Sequence, residues 1–322
     1  MTHARPEPRR IAVFGKRGTY RTEASIVRAA RSLGHEVLFV DVARWRALGP
    51  LGPALLRWRL DAFAADTVLL TRYAAELGED RLRRVCRGRW AAVWYFDLPV
   101  TPEILLLGRA TQRVFTTYYD GVAGYLTRGI AEAHWLPQGT DPVIDAPARS
   151  WPAEYDCDAS FIGSGPFPHR WPVLQAVAKV CDLQVRGPGW EGAPMEIPVK
   201  GGEIRGEEFA RATTAARISM GASFSPEQAR ARYSASNRMW KVLGCGGFYL
   251  GEYVEGIEMF AQEGVHCGWY RGPADAAIQA RRWLDAPAER AKVAAAGRGH
   301  ALAGHTYAHR LRLLLEGRGL EV

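Results

Sequence analysis

Residues 234–256 read SASNRMWKVLGCGGFYLGEYVEG: in order, a polar loop, a helix, a glycine-rich break and a buried strand. Ser234, Ser236 and Asn237 are helix N-cap types. Arg238 to Leu243 supplies a short helix whose apolar members are Met239, Trp240, Val242 and Leu243. Gly244, Gly246 and Gly247 stop it, Phe248 to Leu250 form the strand, and Gly251-Glu252 falls where that strand ends. A helix start presents free N–H groups and the positive end of the helix dipole, both of which favour an anion. Arg238 and Lys241 add two cations three residues apart, on one helix face. The stretch is therefore a candidate seat for a nucleotide diphosphate. An ordinary helix–glycine–strand connection with two surface cations has the same local sequence.

Working outward, the pattern of strand, glycine loop and helix recurs. Arg10 to Gly15 is an apolar strand followed by the basic loop Lys16-Arg17-Gly18-Thr19. A helix with Ile26, Val27, Ala30 and Leu33 on one face comes next, stops at Gly34, and gives way to a strand from Glu36 to Val40. This opens a Rossmann-like unit, although the G-K-R-G loop is neither G-x-G-x-x-G nor a Walker A sequence. A helical region at 44–63 broken at Gly49-Pro50 and Gly52-Pro53, a strand from Asp66 to Leu70, a basic helix at 75–87, and strands at Ala91 to Phe96, Arg113 to Thr117 and His134 to Leu136 complete the first half.

Ligands of open parallel sheets sit at the carboxyl ends of the strands, which is where Arg72 and Asp97 fall. Asp97 can serve as a general base or a sugar-hydroxyl acceptor, or it can simply cap the next helix. Lys16, Arg17 and the helix start after them are candidates to contact an anion or an acceptor. After a proline-rich stretch at 142–156 the pattern restarts: strand Ala159 to Ile162 running into Gly163-Ser164-Gly165, helix His169 to Val180, strand Leu183 to Arg186 running into Gly187, helix Glu207 to Ala216, and strand Arg217 to Met220. Helices at 274–285, 287–297 and 300–316 end the chain. The expected architecture is α/β, with two Rossmann-like halves.

Composition agrees with an ordinary two-domain globular protein: 322 residues, 48% hydrophobic and 24% charged. No run approaches the roughly 20 apolar residues of a membrane helix, and MTHARPEPRR lacks the apolar core of a secretion signal, so the expected location is the cytoplasm. The five cysteines form no C-x-x-C pair, which argues against a zinc site or a disulfide framework. His305 and His309 have i, i+4 spacing, but with no neighbouring glutamate and no third ligand, His300, His305 and His309 read as capping and packing residues; no metal is expected. The net charge of +8 suits an anionic ligand: a nucleotide, a nucleic acid or a membrane surface. RLRRVCRGR (81–89) is the densest basic run.

Several of these segments together resemble one family. NRMWKVLGCGGFYL, the Gly-Ile-Glu-Met-Phe element at 256–260, Glu263-Gly264, the Trp269-Tyr270 strand, WLDAPAERAKVAAAGR (283–298) and His305 to Arg310 are similar to the C-terminal half of spore-maturation (CgeB-like) glycosyltransferases of the group-1 clan. Pro137-Gln138-Gly139-Thr140-Asp141-Pro142 resembles the Gly-x-Asp turn that closes the first half in that clan, and Ser160 to Ser164 the strand that opens the second. The resemblance covers most of 135–316 and is weaker before it.

The resemblance implies a GT-B fold, two Rossmann-like domains facing a cleft, with a C-terminal helix packing back on the first. The implied divisions are an acceptor domain at 1–141, a linker at 142–156, a donor domain at 157–304 and a final helix at 305–322. It implies sugar transfer from a nucleotide-sugar to an acceptor the sequence does not name, without a metal cofactor. Donor contacts would come from Ser164, Gly165, Arg186, Gly187, Asn237, Arg238, Lys241, Gly246 and Gly247. Acceptor contacts would come from Arg17, Gly18, Thr19, Arg72 and Asp141, with Asp97 and Lys16 in the chemistry. Lys241 and Tyr233 stand where the clan usually has glutamates, and a lysine cannot accept hydrogen bonds from ribose hydroxyls. Either the ribose is held elsewhere, Lys241 has moved to a phosphate role, or the donor is unusual. Two rival readings remain: a non-catalytic nucleotide-binding protein on a degenerate GT-B fold, and an enzyme whose acceptor is nucleic acid.

Overall fold

Short apolar runs, buried on both faces, assemble into two six-stranded sheets in which every pairing is parallel. The computed structural model describes residues 9–49, 52–98 and 100–322. The polar N-terminus at 1–8, Pro50 of the Gly49-Pro50 break, and Pro99 after Asp97 lie outside the described residues. The chain divides into two units. One comprises the residues up to Pro137 together with Tyr307–Val322, the other Gln138–Thr306.

The first unit contains β1 (Arg10–Gly15), α1 (Thr22–Ser32), β2 (Glu36–Asp41), α2 (Val42–Arg46), α3 (Gly52–Ala62), β3 (Thr67–Leu70), α4 (Glu79–Cys86), β4 (Trp90–Tyr95), α5 (Pro102–Thr111), β5 (Arg113–Thr116), α6 (Val122–Leu126) and β6 (Glu132–Trp135). Its strand order is β2-β1-β3-β4-β5-β6. The basic helix expected at 75–87 is instead a 3-10 turn, Arg72–Leu77, followed by α4, because Gly78 at φ 80° breaks the run.

Strand alternation divides the core. Ile11 and Val13 face α1, while Ala12 and Phe14 face the α3–α5 side with Leu56, Leu60, Leu82 and Ile104.

The second unit contains β7 (Ala159–Ile162), α7 (Trp171–Ala178), β8 (Leu183–Arg186), β9 (Val199–Gly201), α8 (Glu207–Ala215), β10 (Ile218–Met220), α9 (Pro226–Arg230), α10 (Asn237–Gly244), β11 (Tyr249–Glu252), β12 (Gly268–Tyr270), α11 (Pro273–Asp285) and α12 (Pro287–Gly304). Its strand order is β12-β11-β10-β7-β8-β9. Residues 142–156 fall within this unit: the Ala148 N–H donates to Thr214 Oγ1 (3.0 Å), and Tyr155 packs with Ile204 and Ala212.

The last helix, α13 (Tyr307–Leu315), belongs to the first unit. It lies on α1 and adds Tyr307, Leu311, Leu314 and Leu315 to the cluster of Ile11, Val13, Ile26, Trp94 and Phe115, as expected of a terminal helix that packs back on the first half. The single helix expected at 300–316 is corrected to two. His305 is non-helical at φ −128°, and Thr306 pairs in parallel with Thr140. His300 and His309 therefore lie on different helices, and His305 stacks on Trp240 at 4.7 Å between ring centroids.

His35, His266 and His309 are each held below the ordinary imidazole range, first by burial and then by a neighbouring charge from Arg9, His300 and Arg312 respectively. A base whose folded pKa lies below its unfolded value binds fewer protons in the native state. The stability these groups contribute is thus complete above about pH 7 and is lost as pH falls through the unfolded histidine value near 6.5. The urea midpoint should be lower at pH 5.5 than at pH 7.5; equal midpoints would refute this linkage.

Candidate functional site

In a doubly wound sheet the ligand crevice opens where consecutive connections leave in opposite directions. In the second unit that point lies between β7 and β10, which are hydrogen-bonded neighbours. A pocket of about 200 Å³ occurs there, bounded by the loop after β10 (Gly221 to Ser223), the start of α10, the end of β11, and Arg170. The helix start is built as its sequence implies: Ser236 is the N-cap, and its Oγ accepts from the Met239 N–H at 3.2 Å. Asn237 and Arg238 form the first turn and line the pocket. The buried Oδ1 of Asn237 has no hydrogen-bond partner among the described residues.

Two guanidinium groups converge on this pocket. Arg238 donates through Nε to the Ile162 carbonyl (2.9 Å) and lies 4.4 Å over the Phe161 ring. Gly163 leaves room for it, since a Cβ there would overlap the Arg238 head group. Arg170 donates to the carbonyls of Ser164 (2.6 Å) and Ala222 (3.3 Å) and sits 4.9 Å over Phe167. Burial, and then the charge of Arg238, pull the Arg170 guanidinium down to about 9, and burial likewise lowers Arg238. Neither forms an ion pair with a carboxylate among the described residues. Two desolvated like charges beside an open pocket are costly without an anion between them. Glu252, at the end of β11, also lines the pocket; its Oε2 accepts from the Ser223 N–H at 3.0 Å.

The other residues expected to hold a donor are placed as follows. The Ser164 carbonyl fixes Arg170, and the Gly165 N–H donates to the Pro188 carbonyl at 2.8 Å, so both shape the loop around the pocket. Gly187 abuts Gly163. Arg186 turns elsewhere, with its guanidinium 4.6 Å over the Tyr155 ring and donating to the Glu154 carbonyl. Lys241 does not line the pocket; its ammonium lies 5.6 Å from the Phe209 ring, near Asp145. Gly246 and Gly247 are at the opposite end of α10, about 12 Å along the helix from its start. Asp141 is in the second unit, where its Oδ1 accepts from the Val143 N–H (3.1 Å) in a local turn.

In the first unit, the loops after β1, β3 and β4 share the carboxyl edge of the sheet. Lys16 to Thr19 are exposed there, with Arg17 3.7 Å from Asp41. Gly18 and Thr19 contribute carbonyls that accept from Arg21 and Arg28. Arg72 and Asp97 form an ion pair of 2.8 Å.

Arg170, Glu252 and Glu23 were not picked out as site residues by the sequence reading. Glu23 is buried in the first turn of α1, with its Oε1 3.3 Å from Thr71 Oγ1 beneath the Gly15 loop. A charged residue directly after a glycine loop at a strand's end was the available signal for Arg170. Among the described residues, no group of three or more His, Cys, Asp or Glu side chains is arranged to hold a metal ion, and no helix is long and apolar enough to cross a membrane. All five cysteines are free thiols.

Residues 170–316 match the model of a glycosyl transferase-like family. No curated protein sequence matches the chain. Solved structures share its fold. A sucrose-phosphate synthase from Thermosynechococcus elongatus aligns with TM-score 0.66 at 13% identity over 96% of this chain and 98% of that one. HepE of Anabaena, in complex with UDP-glucose, aligns with TM-score 0.66 at 11% identity over 96% and 98%. An α-glucosyltransferase in complex with UDP aligns with TM-score 0.68 at 9% identity over 96% and 99%. The fold is that of GT-B glycosyltransferases, and the second unit carries most of the glycosyl transferase-like match.

Proposed function

We propose that the protein transfers a sugar from a nucleotide-sugar, in the first instance a UDP-sugar, to a hydroxyl of an acceptor, without a metal ion. Within the GT-B glycosyltransferases we place it with the spore-maturation (CgeB-like) group, on the residues between 135 and 316 that resemble it. The observation that carries the function is the pair of desolvated guanidiniums, Arg170 and Arg238, at the start of α10 over the second sheet's switch point. HepE and the α-glucosyltransferase that share the fold were solved with UDP or UDP-glucose, which supports the choice of nucleotide.

In the reaction the bond between the anomeric carbon and the donor's phosphate oxygen breaks, and the nucleoside diphosphate leaves with the electron pair. The acceptor oxygen bonds to that carbon and gives its proton to a carboxylate. Arg170, Arg238 and the α10 dipole offset the charge of the leaving diphosphate, as a metal would elsewhere. Glu252 supplies the hydrogen-bond acceptor for a sugar or ribose hydroxyl that Lys241 cannot. Asp97 takes the acceptor proton; while paired with Arg72 it is a weak base, so an arriving acceptor has to loosen that pair.

The test is a thermal-shift comparison of UDP, GDP, TDP and CMP, with and without EDTA. UDP is expected to stabilise the protein equally in both conditions, by about 1.4 kcal/mol for each tenfold of ligand above its Kd. No shift with any nucleotide at millimolar concentration would overturn the donor site, and a shift lost in EDTA would overturn metal independence.

A further inference from the structure

We propose that a second pocket, wholly within the first unit, is the acceptor site and takes a small hydroxylated aromatic molecule rather than a nucleic acid. Its role as an acceptor site rests on the glycosyltransferase reading above; its chemistry as a pocket does not.

The cavity, about 460 Å³, lies at the carboxyl ends of β3 and β4, between the 3-10 turn after β3 and the start of α5. That size is within the range of small-molecule sites, roughly 300–1,000 Å³. Its walls include the side chains of Ile104 and Leu107 and the rings of Tyr73 and Tyr95. Ile104 and Leu107 are buried, as is most of Tyr95, whose phenol is held above its ordinary range, first by burial and then by the charge of Asp97. The Tyr73 ring is held by guanidinium groups: Arg72 lies 5.0 Å from its centroid, and Arg21 lies 5.7 Å away while donating to its hydroxyl at 3.0 Å. Such walls reward a flat apolar body, since aromatic pairs add about 0.5–1.5 kcal/mol beyond the area they bury. A free sugar would leave several hydroxyls unpaired against them, at a cost of about 1–3 kcal/mol for each buried group.

The mouth carries the chemistry that a hydroxyl needs. Arg72 lines the pocket and holds Asp97 at 2.8 Å, so a ligand hydroxyl beside Arg72 is within reach of a carboxylate. The same rim disfavours phosphodiesters, because Glu76 and Glu103 stand on it. The basic run at 81–89 does not offset this: Arg83 is paired with Glu79 (2.6 Å) and Arg89 with Asp61.

The experiment uses the full chain and a panel of simple phenols, hydroxycoumarins and flavonoids, with 4-methylumbelliferone as the fluorescent probe. A 13-mer DNA duplex and maltose serve as competitors, and UDP binding is measured separately. At least one phenolic compound is expected to bind, undisplaced by DNA or maltose. Ala75→Phe, which fills the cavity, and Glu76→Trp, which places a ring across its exposed rim, should each weaken that binding tenfold or more while leaving the UDP shift in place. If Ala75→Phe does not fold, Glu76→Trp alone decides, because Glu76 is exposed and its pair with Arg46 is a surface one. No binding by any panel member, displacement by DNA or maltose, or unchanged affinity in the variants would overturn the assignment. Phenol binding without UDP binding would keep the pocket and remove its role as an acceptor site. UDP binding without phenol binding would remove the pocket and leave the donor site standing.

Discussion

Arg238→Ala is expected to abolish the thermal shift given by UDP and to lower kcat/KM for sugar transfer by about 100- to 1,000-fold, the usual cost of losing one charge-stabilising donor. The unliganded protein should unfold at nearly its original temperature. The guanidinium there carries an uncompensated desolvation cost, and only one hydrogen bond, to the Ile162 carbonyl, is lost with it. Separating these two readouts matters, because a general loss of structure would lower both. Lys241→Ala is the natural contrast. Its ammonium lies over Phe209, outside the pocket, and the loss expected there is less than about tenfold, the worth of a surface cation–π contact. If Lys241→Ala were as damaging as Arg238→Ala, the phosphate would have to lie along the other side of α10.

Gly187→Ala should be the most destabilising small change in the second unit. Gly187 ends β8 at φ 144°, a conformation that residues with a side chain rarely adopt, and an added Cβ would overlap the carbonyl oxygen of Gly163. Backbone strain and a clash with backbone together should cost about 3 kcal/mol or more, because neither partner is a side chain that can swing away. For a domain of this size that lowers Tm by roughly 6–12 °C. Gly192→Ala, which meets open space, is the control and should change stability by no more than about 0.5 kcal/mol. Because Gly163 also makes room for Arg238, a weakened nucleotide shift is expected alongside the lower Tm. An unchanged Tm would mean that the two loops are not held against each other.

Much of the framework was legible, because each strand of a parallel sheet is a short apolar run and each helix start has its own chemical signature. Ser236 as cap and the glycines after Leu243 needed only local rules. What local rules missed was the company each residue keeps. Arg170 and Glu252 lie 68 and 14 residues from Arg238 in the chain, and the strand order β11-β10-β7 brings all three to one pocket. Arg238 and Lys241 share a helix face by spacing, yet one side chain runs to β7 and the other to α8. The break at His305 is likewise set from a distance, by the pairing of Thr306 with Thr140, and nothing in HALAGHTYAHRLRLLLE announces it.

The return of α13 to the first unit has a consequence for how the chain is made. A ribosome releases the residues in order, so β1 to β6 emerge long before Tyr307, Leu311 and Leu314 exist to cover Ile11, Val13 and Trp94. Residues 138–306 form a contiguous stretch and contain their whole core, so the part of the protein synthesised later is the part able to finish folding first. The earlier part waits with an apolar face uncovered for about 170 residues of further synthesis, roughly 8–35 s at ordinary elongation rates. During that interval the N-terminal sheet is a substrate for chaperones, and a message cut short before residue 307 would leave it so permanently.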